Sequence, residues 1–387
     1  MDGNHNSGAT HMKIVINAFS ARRGGGQTYL LNLLQYLEDC SGLDIFIFCP
    51  DTLRFPDHPA VKRLTTSWPI ENPLLRALWE KFVLSKILKE IDADILFCPG
   101  GLINTRAPKR CKTVTMFRNM IPFDMSVRQK YPLGLMRIRN WLLEHSMLSS
   151  MMKADMVIFI SEFARKVIEE KSHGHLRKAV TIPHGINDHF KIDNLPSKPK
   201  WLPDCEYLLY VSIFDVYKNQ MEVVRGYHLL KSRREMKEKL ILAGHCTAAY
   251  ALKVMEEIQR LGLKNDVILT GNIAYQELPA AYAHAKINIF ASTCENCPNI
   301  LLEAMGAGRP LLISGIQPMP EFGGEAAVYF DPFDPEDFAR QIMSIIDAPE
   351  ELDRLGRMVA KRAEKYDWKE TAHRTWQAIR ELALSGK

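Results

Sequence analysis

No apolar run in these 387 residues approaches the roughly 18 needed to cross a bilayer. The N-terminus also lacks the charged-then-apolar pattern of an export signal. Together these absences point to a cytoplasmic protein. A G-x-G-x-x-G stretch is missing too, which argues against a Rossmann dehydrogenase binding a dinucleotide. The eight cysteines are scattered, and Cys49 and Cys98 lie in apolar stretches, as expected of reduced, buried thiols. Cys294 and Cys297 form a C-x-x-C, but no second Cys/His pair stands at ligand spacing, so a zinc or redox centre is not expected there.

What is present is ordinary soluble-protein composition, 47% hydrophobic and 25% charged, in a chain long enough for two domains. Residues 1–11 are polar and patternless, with a cloning-junction look at His11-Met12, and stand outside the fold reading. Apolar strand-like runs alternate with helical patterns in both halves, the sign of doubly wound α/β domains. In the first half the expected strands are 13–17, 44–49, 95–97, 113–115, 156–160 and 180–182, with helices over 28–37 and 72–90. In the second half they are 207–211, 239–243, 267–270, 287–291, 311–314 and 327–330. The proline-rich stretch 194–203 reads as a linker between a domain at 12–193 and one at 204–365. A last helix follows within 366–387.

Charge is uneven. Residues 12–193 hold 26 Lys/Arg against 18 Asp/Glu, whereas 194–387 hold 24 against 26. The positive half is compatible with a nucleic-acid partner, although its basic residues are not interleaved with aromatics in a binding motif, and equally with an anionic membrane surface or an anionic lipid-linked acceptor. The stretch 127–153 mixes arginines with Leu, Met, Ile and Trp141. It fits an amphipathic helix at a membrane surface and equally a core-facing helix with solvated arginines.

The most informative run is 292–310, Ser-Thr-Cys-Glu-Asn-Cys-Pro-Asn-Ile-Leu-Leu-Glu-Ala-Met-Gly-Ala-Gly-Arg-Pro. It follows a buried strand, and Pro298 suits a first helical position, where its missing N–H is not needed. Glu295 then lies in a loop and Glu303 a turn inside a helix. The N–H groups of Asn299 and Ile300 point out of the helix start, a site for an anion such as phosphate. Two glutamates eight apart are commonly a loop and a surface residue. Here their surroundings resemble the donor-site signature of glycosyltransferase family 4, of GT-B fold: Glu, seven residues, Glu, Ala-Met, then Gly308-Arg309-Pro310.

The resemblance extends over nearly the whole chain and implies two Rossmann-like domains facing a cleft, with the last helix returning to the first domain. It implies a retaining, metal-independent transferase using a nucleotide sugar, with no cofactor and no nucleic-acid partner. The guess at family level is a GDP-mannose type of donor and a saccharide or lipid-linked saccharide acceptor in surface polysaccharide synthesis. Glu295 is assigned to sugar hydroxyls, Glu303 to the ribose, and Lys218 to the donor phosphates. The glycine loop with Gly25 and Gly26 is assigned to the diphosphate, and Gly271, Asn272 and Ile273 to the base. Arg22 and Arg23 are weaker candidates for the diphosphate. His184 and Gly185 are placed on the acceptor side, and Ser161 matches a family motif while also suiting a helix cap.

Two positions depart from the family. Arg118-Asn119 stands where His-Asp is common, leaving Asn119 to bond a hydroxyl and Arg118 to meet an anion. Ser212-Ile213 stands where an arginine is common. These departures keep a non-catalytic nucleotide-sugar-binding scaffold open as an alternative, together with a GT-B epimerase or glycoside phosphorylase.

Overall fold

The computed structural model describes residues 11–22, 24–37, 42–131, 134–246 and 249–385. Arg23 lies outside them. The chain divides into two compact units, one of residues 1–119, 142–183 and 368–387, the other of 120–141 and 184–367. By these contacts the proline-rich stretch 194–203 belongs to the second unit.

The first unit is built on seven strands: β1 Met12–Asn17, β2 Leu43–Phe48, β3 Val61–Leu64, β4 Ile95–Cys98, β5 Lys112–Phe117, β6 Met156–Phe159 and β7 Ala179–Thr181. They pair in parallel in the order β3-β2-β1-β4-β5-β6-β7. β4 and β6 are buried along their whole length, as an apolar run covered on both faces must be. β3 was not expected. Its sequence, Val-Lys-Arg-Leu, is polar in the middle, and it survives because it sits at the sheet edge with only β2 beside it.

The helix expected over 72–90 is three pieces. Asn72 caps a helix Pro73–Trp79 by accepting from the Leu74 and Leu75 N–H groups. A π turn, Glu80–Leu84, follows, and then a helix Ser85–Ile91. The π turn carries buried Glu80, whose carboxylate accepts from the Asn17 and Asn104 amides and whose carbonyl accepts from Thr105 Oγ1.

Helix Gly25–Gln35 packs on the C-terminal helix Trp368–Leu384. Tyr29 meets Trp368 edge-on, and Trp376 Nε1 donates to Leu33 O at 3.1 Å. The last helix therefore supplies core to the first sheet's unit.

The second unit carries β8 Tyr207–Val211, β9 Lys239–Ala243, β10 Val267–Gly271, β11 Ile287–Phe290, β12 Leu311–Ser314 and β13 Val328–Phe330. Their order is β10-β9-β8-β11-β12-β13, again parallel. The order reverses between β8 and β11. In an open α/β sheet that is where the loops leaving the strand ends splay and leave a crevice.

Candidate active site

In the second unit, the loops leaving β8 and β11 are held against each other. Asn219, in a left-handed conformation at the start of helix Gln220–Arg233, donates from its amide to Ala291 O at 2.7 Å. Thr293 N–H and Oγ1 both donate to Tyr217 O, and Tyr210 OH donates to Lys218 O. These bonds fix Lys218, which is almost fully buried. Its ammonium lies over the rings of Tyr217 and Phe290 and pairs with Glu295 Oε1. Ser292 Oγ donates to the same oxygen at 2.6 Å. The lysine and the glutamate picked from sequence thus meet at the point where the sheet order reverses.

The helix after this loop is Asn299–Gly306, with Pro298 as the capping residue before it rather than inside it. Pro298 has ψ near 87°, outside the helical range, because the chain turns there out of the Glu295 loop. The first bond of the ladder runs from Leu302 N–H to Pro298 O, so the N–H groups of Asn299, Ile300 and Leu301 precede it. His184 is buried and its Nδ1 donates to Asn299 Oδ1 at 2.7 Å; the acceptor atom fixes the tautomer. The structure places His184, and Gly185 after it, in the unit of Glu295, with His184 against the helix start.

Glu303 lies one turn further in. Burial pushes its carboxyl up to about 7, against a hydrogen bond from Tyr275 OH at 3.2 Å that favours the charged form. Tyr275 OH also accepts from Asn187 Nδ2, and its ring meets His189 and Phe190 edge-on. Gly271, Asn272 and Ile273 leave the end of β10 nearby in sequence, with Gly271 at φ 66°. Their loop is tied in by Gly244 N–H donating to Gly271 O. Gly244 leaves no room for a side chain: a Cβ there would sit 1.8 Å from Ser212 O. Ile213 is half-exposed at the strand end.

Several partners had no local signal in the sequence. Ser292, Tyr275 and Asn187 act through contacts that no spacing announces. The same holds for segment 120–131, which belongs by contacts to this unit. Tyr131 OH donates to the Asp215 carboxylate at 3.2 Å, and Asp124 hydrogen-bonds Cys294. Burial pushes the Cys294 thiol up, and the Asp124 and Glu295 charges add to it. That keeps it a thiol at neutral pH, a poor nucleophile.

The first unit holds the other candidates. The glycine cluster is the helix start itself: Gly24, at φ 59°, precedes it, and Gly25 and Gly26 are its first residues, three ahead of the start expected at 28. A Cβ on Gly26 would lie 3.3 Å from the Arg118 guanidinium, which also stacks over the Tyr29 ring. Gly26 and Arg118 are thereby brought together, with Asn119 next in the chain. Arg22 bonds Ile70 O and pairs with Glu71. Ser161 Oγ accepts from Ala164 N–H and caps helix Glu162–Lys171. The chain's Asp-x-Asp, Asp92-Ala93-Asp94, is at the opposite end of the sheet, where Asp94 accepts from Lys13 N–H at the start of β4. Among the described residues no three His, Cys, Asp or Glu side chains converge in a metal-holding group.

Two family descriptions divide the chain between them: "Glycosyltransferase Family 4" over residues 23–190 and "Glycosyl transferases group 1" over 191–362. This chain belongs to the group 1 glycosyltransferases of GT-B fold. The chain is 24% identical to the serotype-specific mannosyltransferase WbdA of Escherichia coli over 285 residues, 71% of this chain and 34% of that protein. It is 26% identical to the O-antigen chain mannosyltransferase B of Escherichia coli over 52% of this chain and 54% of that one. The chain spans only about a third of the length of WbdA. In fold, the chain matches a sucrose-phosphate synthase from Thermosynechococcus elongatus at TM-score 0.74 and 16% identity, over 97% of this chain and 100% of that one. A HepE structure from Anabaena, in complex with UDP-glucose, matches at 0.69 and 15%, over 96% and 100%.

Proposed function

We propose that this transferase moves a hexose from a nucleoside-diphosphate sugar to a saccharide or lipid-linked saccharide in surface polysaccharide synthesis. The observation that carries the reading is the meeting of buried Lys218 with Glu295 beside the start of helix Asn299–Gly306. Breaking the C1–O bond of such a donor builds negative charge on the leaving diphosphate. The first N–H groups of a helix are fixed dipoles that need not reorganise as that charge forms, and a neighbouring ammonium adds a full positive charge.

In this proposal the donor releases Glu295 from Lys218. The ammonium turns to the diphosphate, and the freed carboxylate accepts from sugar hydroxyls. Glu303 accepts from the ribose, and the backbone of Gly271, Asn272 and Ile273 meets the base. Pro298, Asn299 and Ile300 form the phosphate-facing turn, with His184 holding Asn299. In the first unit, Gly25, Gly26, Arg118 and Asn119 are proposed as a polar cluster for anionic and hydroxyl groups of the substrates. The acceptor hydroxyl attacks C1 from the face the diphosphate leaves, and its proton passes to a departing phosphate oxygen. The anomeric configuration is then retained and no metal ion is required. A GDP-mannose type of donor is favoured by the two mannosyltransferases named above.

The test is transfer from GDP-mannose and UDP-hexoses to a panel of saccharide acceptors, with and without EDTA, and NMR of the product. The expected result is an α-linked product from an α-linked donor at a rate indifferent to chelation. An inverted product, or a rate abolished by EDTA and restored by Mg²⁺, contradicts the mechanism. Donor binding without turnover on any acceptor favours the scaffold reading.

A further inference from the structure

Glu303 is a half-buried carboxylate with too few donors. Among the described residues its only hydrogen bond comes from Tyr275 OH, at 3.2 Å from Oε1. A carboxylate can accept about four hydrogen bonds, and burial makes missing ones costly. No cation offsets this: burial pushes the carboxyl up, and only the Tyr275 hydroxyl pulls it back. Tyr282, buried in helix Leu278–His284, feels the Glu303 charge, yet its hydroxyl makes no hydrogen bond. With Oε1 taken, Oε2 is left for a donor that the protein does not supply.

The Tyr275 hydroxyl is itself held in place. Tyr275 opens the short turn Tyr275–Glu277, and its ring meets the rings of His189 and Phe190 at 5.1 and 5.3 Å. Asn187 Nδ2 donates to its oxygen at 2.9 Å. With that amide hydrogen directed at the oxygen, the phenol's own proton is left for the carboxylate. The bonds therefore run one way, from amide to phenol to carboxylate. Burial holds His189 below the usual histidine range, so beside the ring it is mostly neutral at neutral pH. Lys191, two residues on, is engaged by Asp188 and Asp367. All of these residues belong to the second unit.

Packing alone does not account for this tyrosine. It is 40% exposed, and its polar end rather than its ring body meets Glu303. A ring kept for the core would need neither the amide behind it nor the carboxylate in front.

We infer that Tyr275, oriented by Asn187, is a positioning residue for Glu303: it fixes one carboxylate oxygen and leaves the other to accept from a ribose hydroxyl of the donor nucleotide. The inference rests on the reading of Glu303 as the ribose acceptor. The hydroxyl acts in two ways. It sets the direction of the carboxylate at every pH. It also favours the ionised form, so without it burial lifts the carboxyl further above about 7.

The experiment is calorimetric titration with GDP and UDP, and with their 2′-deoxy and 3′-deoxy forms, on both sides of neutral pH. It compares the parent with Tyr275→Phe, Asn187→Ala and Glu303→Gln, and melting midpoints check that each variant folds. In the parent, affinity should rise with pH as Glu303 ionises. Tyr275→Phe should bind about tenfold weaker at neutral pH and about threefold weaker in alkali, with the pH midpoint raised by about one unit. Asn187→Ala should move the midpoint the same way by less, and carries the same test should Tyr275→Phe not fold. The penalty for removing a ribose hydroxyl should shrink in Glu303→Gln, which tests the ribose reading by itself. A Tyr275→Phe midpoint equal to the parent's overturns the inference and leaves the ribose reading standing. So does a loss that is equal at every pH, because it marks the phenol as packing only. A ribose penalty that Glu303→Gln keeps in full overturns the ribose reading and the inference with it.

Discussion

Lys218 and Glu295 are each costly to bury and tolerable together. Removing either partner strands a charge that has little contact with water. Lys218→Ala and Glu295→Ala should each destabilise the protein by about 3 kcal/mol, with the double variant losing clearly less than the sum. Denaturant unfolding of the four proteins checks this, and additive losses would mean the pair is not coupled. Catalytically, Glu295→Ala should slow transfer by about 10²-fold or more while leaving the affinity for the nucleoside diphosphate within a few-fold. Equal losses of turnover and affinity would remove the division of labour between Glu295 and the phosphate-facing groups.

Glu303 gives a pH signature with two opposite signs. Its carboxyl, raised by burial to about 7, is largely protonated in mildly acidic solution. Since the carboxylate is the better acceptor for ribose hydroxyls, nucleotide affinity should rise as pH climbs through about 7. In Glu303→Gln it should be flat and weaker by about 2 kcal/mol at high pH. For the empty protein, a raised pKa means stability present below the unfolded carboxyl value of 4.5 and lost as pH rises to about 7. Glu303→Gln should therefore gain stability relative to the parent above neutral pH. Calorimetric titrations and melting curves across this range check both signs.

At the scale of elements, twelve of the thirteen described strands lie where apolar runs bounded by turn residues predict them, because buried parallel strands leave a continuous apolar signature. β3 escaped for the complementary reason: an edge strand needs only one covered side. The break in 72–90 escaped because a π turn is set by tertiary partners of Glu80 from two other segments, not by helix propensity. The run with Glu295 and Glu303 was legible because glycine, proline and helix-start chemistry are local. The Ser292, Tyr275 and Asn187 contacts were not, being side-chain meetings across the fold. Gly244 was equally silent, yet its position admits no Cβ. Gly244→Ala should cost about 3 kcal/mol or more, combining a clash with Ser212 O at 1.8 Å and an unfavourable φ of 150°. An unfolding midpoint equal to the parent's would show that these loops can part.

At the scale of the molecule, two parallel sheets each place their order reversal where candidate residues leave the strands: the glycine helix start after β1 and the Lys218 and Glu295 loops after β8 and β11. Positive charge gathers in the first half of the sequence and the donor signature in the second, a separation already visible in the sequence. The central claim is that the second unit holds a nucleoside diphosphate through Lys218, Glu303 and the helix start, without a metal. A thermal-shift series with GDP, UDP, ADP and TDP, each with and without Mg²⁺, tests it most directly. One nucleotide at a hundred times its dissociation constant should stabilise the protein by about 2.7 kcal/mol, with or without Mg²⁺, and Lys218→Ala should abolish the shift. A transition that no nucleotide moves, or that moves only with Mg²⁺ present, would contradict it.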